Sequence, residues 1–330
     1  MKTRILLLSF IILTGCGTRE SVVVYSSHSA DMLGNYERLF ESAHPNMDVQ
    51  WRHMPAEDAY RRIQEERAAP AADLWWGGPS SLFQRAAGEG LLETYRPSWA
   101  EQVPEAYKDP EGLWHVIFLS PIAIVFNMRK WSSADVPQTW DELLQPQWSG
   151  RILLCNPASS DVMRMFLYAM ILRAPSEEAG FAWLKALHAA TRGYPENPTF
   201  LFEHMNRRED LFSVWLQSDV MLQRERNGLP LDCIVPPDTL LISEGIGIVA
   251  NAPHRDSAEK FYEFVTSENT LAHQAHVYAK RPARKDIDTA LLPEWMRESS
   301  LLSMNMDENT LEAKGQEWYA RWARDIFQAK

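Results

Sequence analysis

The sequence predicts an α/β protein built from two Rossmann-like lobes that are joined by crossing hinge strands. Three observations support this prediction. The chain has 330 residues, which is enough for two lobes that each have a core. Hydrophobic residues make up 45% of it and charged residues 23%, as in ordinary soluble globular proteins. Short apolar runs alternate with amphipathic segments, which is typical of a mostly parallel sheet covered by helices on both faces.

The N-terminus has the pattern of an export signal. Lys2 and Arg4 precede an apolar run, residues 5–13, that is too short to span a bilayer. The run ends in Leu-Thr-Gly-Cys16, which resembles a bacterial lipobox. The resemblance implies a signal peptide over 1–15, diacylation of Cys16 and a tether over 16–21. Two acyl chains anchor a protein stably, so we expect a location in the cell envelope, facing the periplasm or the extracellular side.

The first lobe is predicted to begin with three strands, over residues 22–25, 47–51 and 74–76, that alternate with helices. In such sheets ligands bind beyond the carboxyl ends of the strands. Six small or polar residues are predicted at that edge: Ser26, Ser27, His28, Gly77, Gly78 and Ser80. The sequence therefore predicts one polar rim on this lobe.

The loop after the third strand carries the chemistry of an oxyanion site. Gly77 and Gly78 allow backbone N–H groups to approach a ligand, and the following helix start adds unpaired donors and a positive dipole end. Ser80 or Ser81 is the expected N-cap. A plain strand-to-helix turn explains the same residues, and this alternative stays open.

A second arrangement of the same kind is predicted in the second lobe. A crossing strand over 116–127, which contains Ser120, leads to a strand over 152–155 and then to Ser159 and Ser160 at a helix start. These hydroxyls suit an oxyanion, although ordinary helix capping also explains them. Trp215 lies on a later predicted strand, 211–216. We predict lobe 1 over 22–120 and 247–290, lobe 2 over 121–246, a second crossing over 240–250, and C-terminal helices over 291–330.

Charge and cysteine content limit the classes of partner. The formal net charge is −11, and it becomes 31 − 44 = −13 after residues 1–15 are removed. This surface argues against nucleic acid and anionic bilayers as partners, but not against an anion in a local site. No GxSxG motif occurs, so we predict that the protein is not an enzyme. Cys155 and Cys233 could form a disulfide or remain buried thiols.

Taken together, these segments resemble the extracellular solute-binding proteins of ABC importers. The resemblance is to the branch that binds ferric iron, phosphonates or sugar phosphates and has the type II periplasmic-binding fold. It is carried by several segments in order: Val24-Tyr25-Ser26-Ser27-His28, Ala72-Asp73-Leu74-Trp75-Trp76-Gly77-Gly78, Glu89-Gly90-Leu91-Leu92-Glu93, Pro121-Ile122-Ala123-Ile124-Val125-Phe126-Asn127, Trp148-Ser149-Gly150-Arg151-Ile152, Asn156-Pro157-Ala158-Ser159-Ser160 and Ala258-Glu259-Lys260-Phe261-Tyr262-Glu263-Phe264-Val265.

The resemblance implies a monomer whose two lobes close on a solute, without a cofactor. It implies a permease and an ATPase as partners, since no GxxxxGK[ST] motif is present. It places ligand contacts on the loops at 26–28 and 77–80 and at the helix start at 159–160.

The expected solute is a small anion, such as a phosphorylated or phosphonate compound. Ser26, Ser27, Gly78, Ser80, Ser159 and Ser160 would donate hydrogen bonds to it, and Trp76 or Trp215 would cover its apolar part. Gly77, His28 and Ser120 complete the candidate set, and no metal is expected. A ferric site is the first alternative, but the sequence has no tyrosine between Tyr194 and Tyr262, where iron-binding members carry a pair. The second alternative is a sensor that presents its solute to a membrane kinase.

Overall fold

A computed structural model describes residues 19–297 and 308–328. Cys16 and the predicted signal peptide lie outside these residues, so both stay predictions. The strands are β1 (Glu20–Ser26), β2 (Met47–His53), β3 (Leu74–Pro79), β4 (Leu92–Glu93), β5 (His115–Asn127), β6 (Ile152–Leu153), β7 (Thr191–Gly193), β8 (Phe212–Leu216), β9 (Leu231–Ile234), β10 (Leu241–Val249) and β11 (Arg281–Pro282).

The helices alternate with these strands along most of the chain. They are α1 (Ala30–Ala43), α2 (Ala56–Glu65), α3 (Ser80–Gly88), α4 (Asp161–Arg173), α5 (Glu177–Ala190), α6 (Pro198–Arg207), α7 (Gln217–Asn227), α8 (Arg255–Val265), α9 (Glu268–Tyr278), α10 (Glu294–Arg297) and α11 (Glu308–Trp322). Within the described residues, none of these helices is both long enough and apolar enough to cross a bilayer.

Two groups of strands, sheet A and sheet B, share the long strand β5. In sheet A, β1 lies between β2 and β3 in parallel, and β10 joins β3 to the first half of β5 in antiparallel fashion. In sheet B, the second half of β5 pairs with β8 and β9, and β6 lies parallel to β8 and β7. Because β1 and β3 are parallel, their carboxyl ends meet at one edge of sheet A.

The chain crosses between the two sheets inside β5. Ser120 and Pro121 still pair with Ile242 and Leu241 of β10, whereas the next residue, Ile122, pairs with Leu216 of β8. The junction therefore lies at Pro121, which has no N–H to donate to a ladder. Residues 235–240 return the chain from β9 to β10. The exact lobe boundaries given above stay predictions.

Each sheet has its own apolar core. Sheet A is covered on one face by α1, α8 and α9, through side chains such as Phe40 and Phe261, and on the other by α2 and α3, through Tyr60 and Phe83. Helices α4, α5, α6 and α11 cover sheet B, where Trp318 of α11 is buried in the core. The alternating apolar runs in the sequence thus correspond to strands that are buried on both faces.

The local structure corrects one prediction from the sequence. The α3 helix begins at Ser80 itself, and Pro79 precedes it without any side-chain cap, so neither Ser80 nor Ser81 is the N-cap. Cys155 and Cys233 are both free thiols, and burial raises the pKa of each to about 12.

Candidate functional site

The carboxyl end of β1 is held by internal hydrogen bonds. Ser26 is fully buried; its Oγ donates to the backbone oxygen of Trp76 at 2.5 Å and accepts from the backbone N–H of His28 at 3.1 Å. Both hydroxyl interactions are thus made inside the protein. Ser27 is half-buried beside it. Ser26 therefore shapes the turn that carries Ser27 and His28.

Gly77 and Gly78 adopt backbone conformations that only glycine tolerates well. Their φ angles are +93° and +120°. A Cβ on Gly77 would lie 2.7 Å from His28 Nε2, and one on Gly78 would lie 2.9 Å from the Cβ of Ala56. These glycines thus allow β3 to pass directly against the His28 ring and against α2.

His28 is packed between aromatic rings and charged side chains. Its ring makes edge contacts with Trp76, at 4.8 Å between centroids, and with Phe118, at 5.8 Å. Nδ1 lies 3.5 Å from Oε2 of Glu244, and the buried Nε2 has no hydrogen-bond partner among residues 19–297 and 308–328. Burial and the charge of Lys280 lower the pKa of His28 to about 3, so the ring is neutral at physiological pH.

Glu244 and Lys280 form an ion pair above these rings. The Lys280 Nζ lies 2.6 and 2.8 Å from the two carboxylate oxygens of Glu244 and 5.5 Å from the centre of the Phe118 ring. Burial opposes ionisation of Glu244, but the charge and hydrogen bonds of Lys280 outweigh it and lower the pKa of this carboxyl. Glu244 and Lys280 are therefore both charged.

A second polar contact lies at the same edge of sheet A. The hydroxyl of Ser80, at the start of α3, is 2.6 Å from the hydroxyl of Ser243 on β10. The α3 helix has no side-chain cap, so its first backbone N–H groups are not occupied by a capping side chain. Gly245 lies two residues after Ser243, and the Phe83 ring of α3 packs against it where a Cβ would otherwise stand.

The first turn of α7, the helix that follows β8 of sheet B, lies at this same edge of sheet A. The Ser120 hydroxyl donates to that of Ser218 at 3.0 Å, and the Arg281 guanidinium donates to the Gln217 side-chain oxygen at 3.3 Å. The α7 helix also begins without a side-chain cap. The start of α7 thus touches both β5 and β11 near the junction of the sheets.

Asp219, in the same turn, completes the group. The indole N–H of Trp215 donates to its Oδ2 at 2.8 Å. Burial raises the pKa of Asp219, and the charges of Lys280 and Glu244 act on it from sheet A. We call His28, Asp219, Glu244 and Lys280 the junction cluster. Glu244 on β10 contacts both His28, which follows β1, and Lys280, which follows α9, whereas Asp219 in the first turn of α7 contacts Trp215.

The predicted site residues fall into three sets. Ser27, His28, Gly77, Gly78, Ser80 and Ser120 lie at or beside the junction cluster. Trp76 is fully buried in the core of sheet A, and Trp215 is 4% exposed and directs its indole N–H to Asp219, so neither offers a broad open ring face.

Ser159 and Ser160 belong to a different hydrogen-bonded group. The Ser159 hydroxyl donates to the backbone oxygen of Glu196 at 2.6 Å, and Ser160 Oγ accepts from the N–H of Met163 at 3.2 Å as the N-cap of α4. Their contacts are thus those of ordinary capping and loop closure.

Sequence reasoning missed Asp219, Ser243, Glu244 and Lys280. One signal was present for Glu244, since it is the single charged residue in the otherwise uncharged run over 240–250. Asp219 follows Trp215 by four residues across the boundary between β8 and α7, so no helical spacing rule relates the two. Lys280 carried no comparable signal.

Two further observations delimit the site. A cavity of about 760 Å³ lies between α7 and the region of α9 and α10, but the two arginines that line it, Arg224 and Arg226, are paired with Asp232 and Asp31. In the described part of the chain, no group of three or more His, Cys, Asp or Glu side chains is arranged to hold a metal ion.

Comparisons with known proteins agree with this architecture. Residues 70–307 match the family described as bacterial extracellular solute-binding protein. The chain is 25% identical over 230 residues to y4fP of Sinorhizobium fredii, a probable ABC transporter periplasmic-binding protein. That match covers 68% of this chain and 64% of the relative, so it spans slightly less than two thirds of the relative's length.

Two solved structures show the same fold. Iron-bound HitA from Pseudomonas aeruginosa superposes with a TM-score of 0.73 at 21% identity, covering 93% of this chain and 99% of that one. AfuA from Actinobacillus pleuropneumoniae, with fructose-6-phosphate bound, gives 0.68 at 22% identity, covering 94% and 99%. The predicted α/β fold of type II periplasmic binding proteins is thereby confirmed. Because the family match extends over well more than half of the sequence, the chain belongs to the bacterial extracellular solute-binding proteins, which bind their solutes without catalysis.

Proposed function

We propose that this protein is the lipid-anchored receptor of an ABC importer and that it closes two lobes on a small anionic solute, phosphorylated or a phosphonate, beside the junction cluster. Family membership supports a solute receptor, and the relative y4fP supports the link to an ABC transporter. The bound fructose-6-phosphate of AfuA supports a phosphorylated solute.

One observation carries the proposal: α3 and α7, which start beside the cluster, begin without a capping side chain. Helix α1, which starts two residues after His28, is capped instead by Ser29. The first N–H groups of an uncapped helix and its positive dipole end favour an anion. The Ser80 and Ser243 hydroxyls supply further donors.

Within the described residues, the chain crosses between the two sheets twice, within β5 and over residues 235–240, and the lobes would close by bending at these crossings. The α7 start contacts β5 and β11 through hydrogen bonds rather than through an apolar core. Such contacts exchange readily with water because a hydrogen bond contributes only about 0.5–1.5 kcal/mol net. Lobe opening would therefore leave both apolar cores intact.

A thermal-shift screen tests the solute class. The full chain in detergent is heated with phosphorylated sugars, phosphonates, inorganic phosphate or ferric citrate. We expect the melting temperature to rise with one or more of the phosphorus anions. Stabilisation by ferric citrate alone would show that the protein is an iron receptor and would refute the anion proposal.

Two experiments in cells test the rest. Radiolabelled palmitate should label the wild-type chain but not a Cys16→Ser variant, and an unlabelled wild type would remove the anchor from the proposal. A deletion strain should lose uptake of the solute that the screen identifies. Normal uptake combined with a lost transcriptional response would favour a sensor that acts on a membrane kinase.

A further inference from the structure

Helix α7 makes the side-chain hydrogen bonds that link the two halves of the molecule. It follows β8 of sheet B, and among residues 19–297 and 308–328 every such bond between sheet A with its helices and sheet B with its helices involves α7. Two of the bonds, described above, connect its first turn to β5 and β11. The third is made in its last turn, where Arg226 donates to Asp31 in the first turn of α1 at 2.8 Å. Both ends of α7 are thus tied to the opposite half.

The contact in the last turn is an ion pair with a third member. Nη2 of Arg226 lies 2.8 Å from Oδ2 of Asp31, and its guanidinium carbon lies 5.9 Å from the centre of the Tyr278 ring of α9. The Tyr278 hydroxyl donates to the backbone oxygen of Asp31 at 3.3 Å. In the described part of the chain, no other ion pair joins the two halves. We call Asp31, Arg226 and Tyr278 the α7 clasp.

The two ends of α7 respond differently to a rotation of the halves. The helix start lies beside the crossing in β5, because Leu216, the residue before the helix, pairs with Ile122. Arg226 lies 226 − 217 = 9 residues beyond the first helical residue, which is about 13.5 Å at 1.5 Å per residue. A rotation of about 20° about an axis through the helix start would therefore move Arg226 by about 5 Å. Such a movement separates the ion pair while the contacts at the helix start change little.

We propose that the α7 clasp holds the two halves in the closed arrangement and that its ion pair breaks when they open. This inference deepens the proposed function, because it rests on lobes that close on a solute. Asp31 lies two residues after Ser29, the N-cap of α1, so the clasp holds the end of the loop at 26–28 against α7. Arg226 and Asp31 are thus positioning residues. They set the fraction of the receptor that is in the arrangement that holds a solute.

The exposure of the ion pair determines the size of the effect. The side chains of Arg226 and Asp31 are 50% and 59% exposed. Exposed pairs of this kind shift an equilibrium by a factor of about 1.4 to 5. The clasp therefore biases the equilibrium between closed and open forms without locking it. Because dissolved salt screens exposed charges, the closed fraction should fall as the ionic strength rises.

Distance measurements by double electron–electron resonance test the clasp without any solute. Spin labels are attached to the full chain in detergent at Ser42→Cys on α1 and Asn227→Cys on α7, which are both exposed positions. We expect a short and a long distance, for the closed and the open form. The ratio of long to short should rise about 2- to 5-fold in Arg226→Ala. Salt at about 1 M should raise the ratio in the wild type but not in Arg226→Ala. The chain without the two introduced cysteines gives the labelling background.

A matched control and an exchange of charges complete the design. Arg224→Ala removes the same side chain from the same helix, but its ion pairs with Asp232 and Glu225 stay on the sheet B side, so the ratio should not change. Arg226→Asp combined with Asp31→Arg should return the ratio towards the wild-type value, which a merely structural role of Arg226 would not do.

Two outcomes contradict the inference in different ways. If two distances are found but Arg226→Ala keeps the wild-type ratio, or changes it no more than Arg224→Ala does, the clasp is refuted and the receptor stands. If the wild type and every variant show one and the same distance, with and without added inorganic phosphate or glucose-6-phosphate, the lobes do not move. The closure in the proposed function and the clasp then both fall.

Discussion

Replacing Gly77 by alanine tests the close approach of β3 to His28. The new Cβ would lie 2.7 Å from Nε2 and 2.9 Å from Cε1 of the His28 ring, whereas ordinary contacts begin at 3.4 Å. The ring would have to move by 3.4 − 2.7 = 0.7 Å, yet it is confined by Trp76 and Phe118. The residue would also have to keep a φ of +93°.

The expected loss of stability has three contributions. A non-glycine residue at positive φ costs about 1–2 kcal/mol. Overpacking in a filled core costs about 1–3 kcal/mol. Alanine also lowers the conformational entropy of the unfolded chain, and this offsets the loss of stability by about 0.4–1 kcal/mol. Gly77→Ala should therefore lower the free energy of unfolding by about 1–4.6 kcal/mol, with about 3 kcal/mol as the central value.

Urea denaturation without ligand, followed by tryptophan fluorescence, measures this loss. Gly228→Ala is the matched control because its φ is +65° and nothing lies within 4 Å of the added Cβ, so it should cost only about 1 kcal/mol. In a His28→Ala background the cost of Gly77→Ala should fall towards the same value. An undiminished cost in that background would refute the reasoning, because the ring would then not be the obstacle.

Three further outcomes follow from the structure. Protonation of His28 favours the unfolded state because its pKa falls from 6.5 to about 3 on folding. Relative to His28→Gln, the wild type should lose about 1.6 kcal/mol of stability between pH 6.5 and 5.0, measured by denaturation at each pH. Cys155 and Cys233 should react slowly with iodoacetamide at pH 7.4 and rapidly in urea, since both are free thiols with a pKa of about 12; a mass consistent with a disulfide would contradict this. Arg226→Ala removes an ion pair with Asp31 at 2.8 Å, in which both side chains are about half exposed. The substitution should therefore change the free energy of unfolding by less than about 1 kcal/mol. A larger loss would show that the pair is a major contact between the sheets.

Much of the fold could be predicted because its signals are local. The apolar run before Gly77 predicts a strand that is buried on both faces, and the structure has β3 there. The same run could not show which way Trp76 points, and the structure places its ring in the core. Ser26 was chosen as a ligand donor for its position, but its hydroxyl is used by the backbone of Trp76.

The candidate site was harder to predict because its charged members are distant in the chain. Glu244 and Lys280 are 36 residues apart, and Asp219 reaches them only through the packing of α7 against the junction. No spacing rule relates such residues. Ser159 and Ser160 show the opposite difficulty: the same local pattern suits an anion or ordinary capping, and the hydrogen bonds that these two side chains make are those of loop closure and capping.

The long strand β5 has a mechanical consequence. Because it runs without a break through both sheets, one part of the molecule cannot slide past the other without tearing a ladder of hydrogen bonds. Relative rotation instead requires β5 to flex at Pro121, where the missing N–H leaves the strand least stiff, together with the return segment over residues 235–240. The amides of Ile122 and Ser120 should therefore exchange with deuterium faster than those deeper in either half of the strand.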